Sequence, residues 1–177
     1  MAAKASHEYD NFRKLIKDFH GGRASRAEVA RAIHAHSTSI GLKWLVESLR
    51  KLYPDSRVTH HETEVQIELL CATQPRLQKP KYQLVRLLFD DAGTFDRYND
   101  EFFSESPVCV VRIGGGRYAI IDGHHRVRRY AELTDKPAVR ATLISTDSDD
   151  LIERFREEVE EVRQAAGTAD VRKLPVV

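Results

Sequence analysis

At 177 residues with a hydrophobic fraction of 41%, the chain has room for one domain with an appendage and enough apolar surface for a real core. Its formal net charge of +1 excludes a global electrostatic pull towards nucleic acid or membrane and confines any basic function to local patches. Cys71 and Cys109 are two lone cysteines in apolar runs, without metal spacing or a disulfide framework, and no signal peptide or membrane span is visible, so two free thiols in a cytoplasmic, reducing setting are expected.

The N-terminal third reads as helix throughout. Residues 8–20 place Tyr9, Phe12, Leu15, Ile16 and Phe19 at helical spacing before Gly21-Gly22 stops the run. Ser25 and Glu28 form a capping box ahead of Val29, Ala30 and Ile33. A third helix, from about residue 37, carries Ile40, Leu42, Leu45, Val46 and Leu49 and ends at Tyr53-Pro54. A packed unit of three helices over residues 1–55 is the expectation. Residues 28–49 faintly resemble a helix-turn-helix but lack a convincing turn glycine, and Trp44 with its leucines reads as packing. His34 and His36 are two apart, face different ways on a helix, and read as solvated surface residues rather than a metal pair.

Near residue 55 the pattern changes. Residues 55–63 are polar, include His60-His61 and read as a link, after which Val65, Ile67 and Leu69 alternate as in a strand over 64–71. Gln74-Pro75-Arg76 follows, then a helix through Leu84, Val85, Leu87 and Leu88 with Lys81 at its start. Residues 90–107 form an acidic insertion, partly helical, that reads either as a mobile loop or as a lid. The apolar runs 108–113 and 118–121 flank Gly114-Gly115-Gly116 and read as a hairpin, because a phosphate-binding glycine loop would lead into a helix and this one leads into a strand.

A strand, helix and strand over 118–144 suggest a right-handed crossover. Its helix turns Val127, Tyr130 and Ala131 to the sheet, and His125, Arg126 and Arg129 the other way. Residues 147–166 form a charged helix whose stripe of Leu151, Ile152, Phe155, Val159 and Val162 either docks back or pairs with a second copy, and 174–177 is a short strand or tail. The fold class is therefore α+β: an N-terminal helical region (1–55), a small mixed-sheet domain (64–145), and a C-terminal helix and tail (146–177).

The stretch with chemical character is YAIIDGHHRVRRY at 118–130. A helix start carries partial positive charge and unpaired N–H groups, yet His124, His125, Arg126, Arg128 and Arg129 crowd this one. A bound anion, phosphate above all, would relieve the conflict and use the free N–H groups. The plainer reading makes Asp122 an ordinary N-cap, Gly123 a turn residue and the arginines solvated.

The Asp-Gly-His-His-Arg junction, with the Gln-Pro-Arg tripeptide before an earlier helix, resembles the two boxes of the ParB/sulfiredoxin superfamily, most of all the Asp-Gly-His-x-Arg form of the free-serine kinases. Partition ParB proteins have glutamate and sulfiredoxins their nucleophilic cysteine where this chain has His124, so sulfiredoxin chemistry is not expected. The resemblance covers residues 65–144 and implies a nucleotide-binding fold using ATP or ADP, or CTP, with Mg²⁺. It implies phosphate held by Gly123, His125 and Arg126, with Lys81 and Arg76 closing from the other side. Asp122 would hold Mg²⁺ or act as base, either His124 or His125 would donate to the transferring group, and Glu68 matches in position an acidic residue of the serine kinases.

Phosphoryl transfer needs these classes of residue: cations on phosphate, a carboxylate for metal or proton, and an acceptor in line. The leading expectation is an ATP- or ADP-dependent phosphotransferase or nucleotide hydrolase acting on a small-molecule acceptor. The alternatives are a ParB-like DNA-associated nuclease or CTP-gated DNA binder, and a regulatory module without turnover. A homodimer is a further expected form, and no membrane partner is expected.

Overall fold

The computed structural model describes residues 2–38, 41–135 and 137–177, and the side chains from residue 10 onward except those at 36–38, so Tyr9, His36 and Ile40 lie outside the described side chains. Among the described residues the chain is α+β. Three helices come first, α1 (Ala2–His20), α2 (Arg26–Thr38) and α3 (Leu42–Leu52). Strands β1 (Val58–Gln66) and β2 (Leu70–Ala72) follow, then α4 (Lys79–Leu88), α5 (Ala92–Phe102), β3 (Cys109–Gly114), β4 (Arg117–Asp122), α6 (His124–Leu133), β5 (Ala138–Thr146) and α7 (Asp149–Ala166). The helix starts are written locally. Ser25 and Glu28 make the reciprocal capping box of α2, Asp91 accepts from the Thr94 N–H at α5, and Ser148 accepts from the Leu151 N–H at α7.

The five strands form one mixed sheet in the order β1-β5-β3-β4-β2. β1 and β5 are antiparallel, β5 and β3 parallel, β3 and β4 antiparallel, and β4 and β2 parallel. The expected link at 55–63 is thus largely strand, since β1 starts at Val58 and pairs residue by residue with β5 as far as Gln66. The expected strand at 64–71 is cut in two by a 3-10 turn at Ile67–Leu69. The break has a topological cause, because β1 and β2 lie at opposite edges. A flat sheet of this order would separate them by about 19 Å, whereas the four residues from Gln66 to Leu70 reach about 14 Å at most. The sheet must curl so that its edges approach at this end.

β4 and β5 turn out antiparallel, with β3 between them, so β4-α6-β5 is not the parallel crossover that the strand-helix-strand pattern suggested. The N-terminal helices also spread over the domain. α1 and α2 pack on α4, α3 packs on β1, and Phe12, Val29, Ile33 and Leu45 belong to the same core as the sheet residues. His34 is not a solvated residue, for its ring stacks on Phe102 at 4.1 Å and its Nε2 lies 3.3 Å from Glu105. The insertion at 90–107 is mostly α5, held by Phe95 against Tyr130 and by Tyr98 and Phe95 against Phe89. α7 docks across the sheet through Leu151, Phe155, Val159 and Val162, and no described helix is long and apolar enough to cross a membrane.

The C-terminal tail closes one sheet edge. Cys71 of β2 bridges Asp170, the Ala72 N–H donates to Ala169 O at 2.8 Å, and three further backbone bonds join Leu77 and Lys79 to Pro175 and Val177. Each is worth about 1 kcal/mol net. Removal of residues 175–177 is expected to lower stability by about 2–3 kcal/mol in urea titration, with faster hydrogen exchange at the Leu77 and Lys79 amides and unchanged exchange in β3.

Candidate functional site

β4 ends at Asp122, and Gly123 turns the chain into α6 with φ 102° and ψ 12°. Glycine is required twice over. The positive φ strains any L side chain, and a Cβ here would lie 3.0 Å from Val108 Cγ2 and 3.3 Å from Val108 Cα. Asp122 is not the N-cap that the plainer sequence reading made it. The cap is Gly123, and no side chain caps α6.

The expected outward cationic face does not form. His124, His125 and Arg126 are 5%, 6% and 3% exposed, so the side chains of the first turn of α6 are largely withdrawn from solvent. Arg126 folds back over the strand end, where its guanidinium donates to Ser106 O, to Pro107 O at 3.2 Å and to Asp122 Oδ2 at 3.0 Å. The charge conflict at this helix start is thereby met inside the protein, since the Asp122 carboxylate sits just ahead of the N-terminus and neutralises the arginine. Arg126 is a structural clamp between α6 and residues 106–107.

The histidines are acceptors. Backbone N–H groups can only donate, so His124 Nε2 accepts from the Thr73 N–H at 3.1 Å and His125 Nε2 from the Gln78 N–H at 3.0 Å. Both rings tie the 73–78 loop to α6, and each Nε2 is spent on that tie. Burial, with the Lys81 charge adding to it, pushes His124 down to about 3. The remaining cations of the helix are also engaged. Arg129 donates to Phe89 O at 2.9 Å, and Glu132 gathers Arg128, Arg129 and the Tyr82 hydroxyl. Burial pushes the Tyr82 phenol up to about 12, and its hydrogen bond to Glu132 adds to the shift.

A cleft of about 110 Å³ opens at this junction, lined by Gln74, Lys81, Asp122, Gly123, His124, His125 and Arg126 together with the apolar Ile33 and Val85. Six of the eight expected residues therefore meet around one small space. Arg76 does not join them, being exposed on the loop and outside the lining. Glu68 does not either. It is exposed on the turn before β2, and because β2 and β4 are parallel, with Leu70 opposite Tyr118, it lies at the far end of the strands from Asp122, roughly 20 Å away. What the sequence did not single out is Gln74, whose amide nitrogen is buried without a hydrogen-bond partner. The Gln-Pro-Arg tripeptide was the visible signal, and its glutamine rather than its arginine reaches the cleft.

The donor set does not fit a protein-held Mg²⁺. Asp122 is the only carboxylate in the lining, one of its oxygens is bound to a guanidinium, and no metal-binding cluster of His, Cys, Asp and Glu occurs among the described residues. The thiols are free and buried on β2 and β3, and burial, reinforced by Asp122, pushes Cys109 up to about 12. Cys109 is therefore not a nucleophile at neutral pH.

Arg126→Ala would leave the Asp122 carboxylate and two carbonyl groups without their donor, and is expected to cost about 3–5 kcal/mol, seen as a thermal midpoint lower by about 10 °C or more. A second expectation concerns acid. Folded, His124 stays neutral down to about pH 3, while unfolded it takes up a proton below 6.5. Its contribution is therefore fully present above pH 6.5 and is lost as pH falls towards 3, at up to about 1.4 kcal/mol per pH unit. Urea titrations between pH 4 and 7 should show this slope, and His124→Gln, whose amide oxygen can still accept from Thr73, should flatten it.

Comparison with known proteins adds no relative: no family model matches the chain, and no curated protein and no solved structure matches it.

Proposed function

We propose that the chain is a nucleotide-binding protein of the ParB/sulfiredoxin type that seats one phosphate group of ATP, ADP or CTP at the start of α6. The observation that carries this reading is the buried amide nitrogen of Gln74, which has no protein partner and lines the same cleft as Lys81 and the uncapped N-terminus of α6. A polar group left so costs roughly 1–3 kcal/mol, and an acceptor-rich anion between an amide, an ammonium and helix N–H groups removes that cost. Size limits the ligand further. About 110 Å³ accommodates a phosphate group but falls below the roughly 300 Å³ of pockets that enclose a drug-sized ligand, so base and ribose lie outside the cleft.

Binding is better supported than transfer. Asp122 Oδ2 is committed to Arg126, His124 Nε2 to Thr73, and Glu68 is remote, so the residues that the phosphotransfer reading assigned to catalysis are occupied or absent from the cleft. Calorimetric titration with inorganic phosphate, ATP, ADP and CTP, with and without Mg²⁺, tests the reading. Lys81→Ala and Gln74→Ala are each expected to weaken nucleotide binding about tenfold or more, with phosphate competing and the thermal midpoint changing little. Absence of nucleotide binding at millimolar ligand, or unchanged affinity in both variants, would sink the proposal. Nucleotide turnover in the same samples would restore the phosphotransfer reading.

A further inference from the structure

The two edges of the sheet are treated differently. The β2 edge is covered by the C-terminal tail through the Cys71–Asp170 bridge and the Ala72 N–H bond to Ala169 O, whereas among the described residues nothing pairs with the outer edge of β1. Open edges are normally blunted by shortness, proline, lysine or a bulge. β1 has none of these, and of its two carboxylates Glu62 is paired with Arg140 within the sheet, leaving Glu64 near the strand end. It runs nine residues, VTHHETEVQ, and its pairing with β5 is continuous from Val58 to Gln66. Five of the six residues from Thr59 to Glu64 are exposed, Thr63 being the half-buried one, so the middle of the strand stays accessible although α3 packs against β1.

We propose that β1 is a homodimer interface, in which two copies pair their β1 strands antiparallel about His61 and join their sheets. The sequence of the strand is complementary to itself in that register. A two-fold pairing joins residues of the same parity, and centring it on His61 sets His60 opposite Glu62 of the second copy twice, with Thr59 opposite Thr63. Centring it on Glu62 would oppose two carboxylates, which is unfavourable. Glu62 is already oriented by Arg140 of β5, at 2.5 Å and 3.0 Å.

The helix carried by β1 supplies a second, independent observation. An antiparallel edge pairing has its two-fold axis perpendicular to the sheet, so the α3 helices of both copies lie on the same side of it. α3 packs on β1 and bears two of the largest exposed apolar side chains, Trp44 at 54% and Leu52 at 61% exposure, within one broad helical face. Tryptophan is among the residue types enriched at the centres of interfaces. This inference does not depend on the nucleotide reading.

The test is sedimentation equilibrium on the full chain over a concentration series, joined to hydrogen exchange at low and high concentration. The wild-type chain should associate to a dimer, with the amides of residues 59–64 gaining protection as it does. His60→Glu, which places like charges opposite twice, and Trp44→Ala should each raise the dimer dissociation constant about tenfold, and His60→Glu combined with Glu62→Lys should recover most of that loss. A chain that stays monomeric at about millimolar concentration would overturn the proposal. So would a dimer indifferent to these variants, or protection gained on another element.

Discussion

Everything around the junction at Asp122 depends on one buried ion pair. Arg126 sits at the one place in α6 where a cation is least welcome, and its guanidinium is stable there because Asp122 and two backbone carbonyls surround it. A buried charge without such partners would cost several kcal/mol. The pair therefore dictates that β4 end in aspartate, that glycine follow so that the helix can start beneath Val108, and that residues 106–107 run across the helix start. The path of α5 follows from the same constraint, because Arg129 holds Phe89 O ahead of it and Arg126 holds the carbonyls behind it.

With its charges satisfied inside, the junction leaves a small polar cleft rather than an open basic face. His124 and His125 spend their Nε2 atoms on the backbone of the 73–78 loop, which fixes that loop against α6 and brings Gln74 and Lys81 to the rim. The resulting space measures about 110 Å³, and Asp122 Oδ2, His124 Nε2 and His125 Nε2 around it are already hydrogen-bonded within the protein. The same loop is pinned from its other side by the C-terminal tail, through the Leu77 and Lys79 bonds to Pro175 and Val177. Order at the cleft thus depends on the last three residues of the chain as well as on the helix beside it.

Local signals were legible in the sequence, and they were those that depend on a few neighbouring residues. The Ser25–Glu28 capping box, the glycine hairpin between β3 and β4, the helix start after Gly123 and the apolar stripe of α7 follow from short-range sterics and periodicity, which any window of about ten residues contains. Composition and periodicity likewise sufficed for an α+β chain with helices at both ends, and the gathering of Lys81 with residues 122–126 was implied by the family resemblance rather than by the residues alone.

Tertiary structure alone decided strand pairing and charge placement. Nothing local distinguishes the polar strand β1 from a linker, because its stability comes from β5 some eighty residues later, nor shows that the next strand must pair at the opposite edge. Whether Arg126 faces solvent or core, and whether Asp122 caps a helix or balances a guanidinium, depends on residues 106–107 arriving from another part of the chain. Glu68 and Arg76 illustrate the same limit from the other side: their residue types suit phosphate chemistry, but a parallel pairing and a loop direction carry them away from the cleft. Residue type and spacing are properties of the sequence, whereas distance and desolvation exist only once the chain has packed.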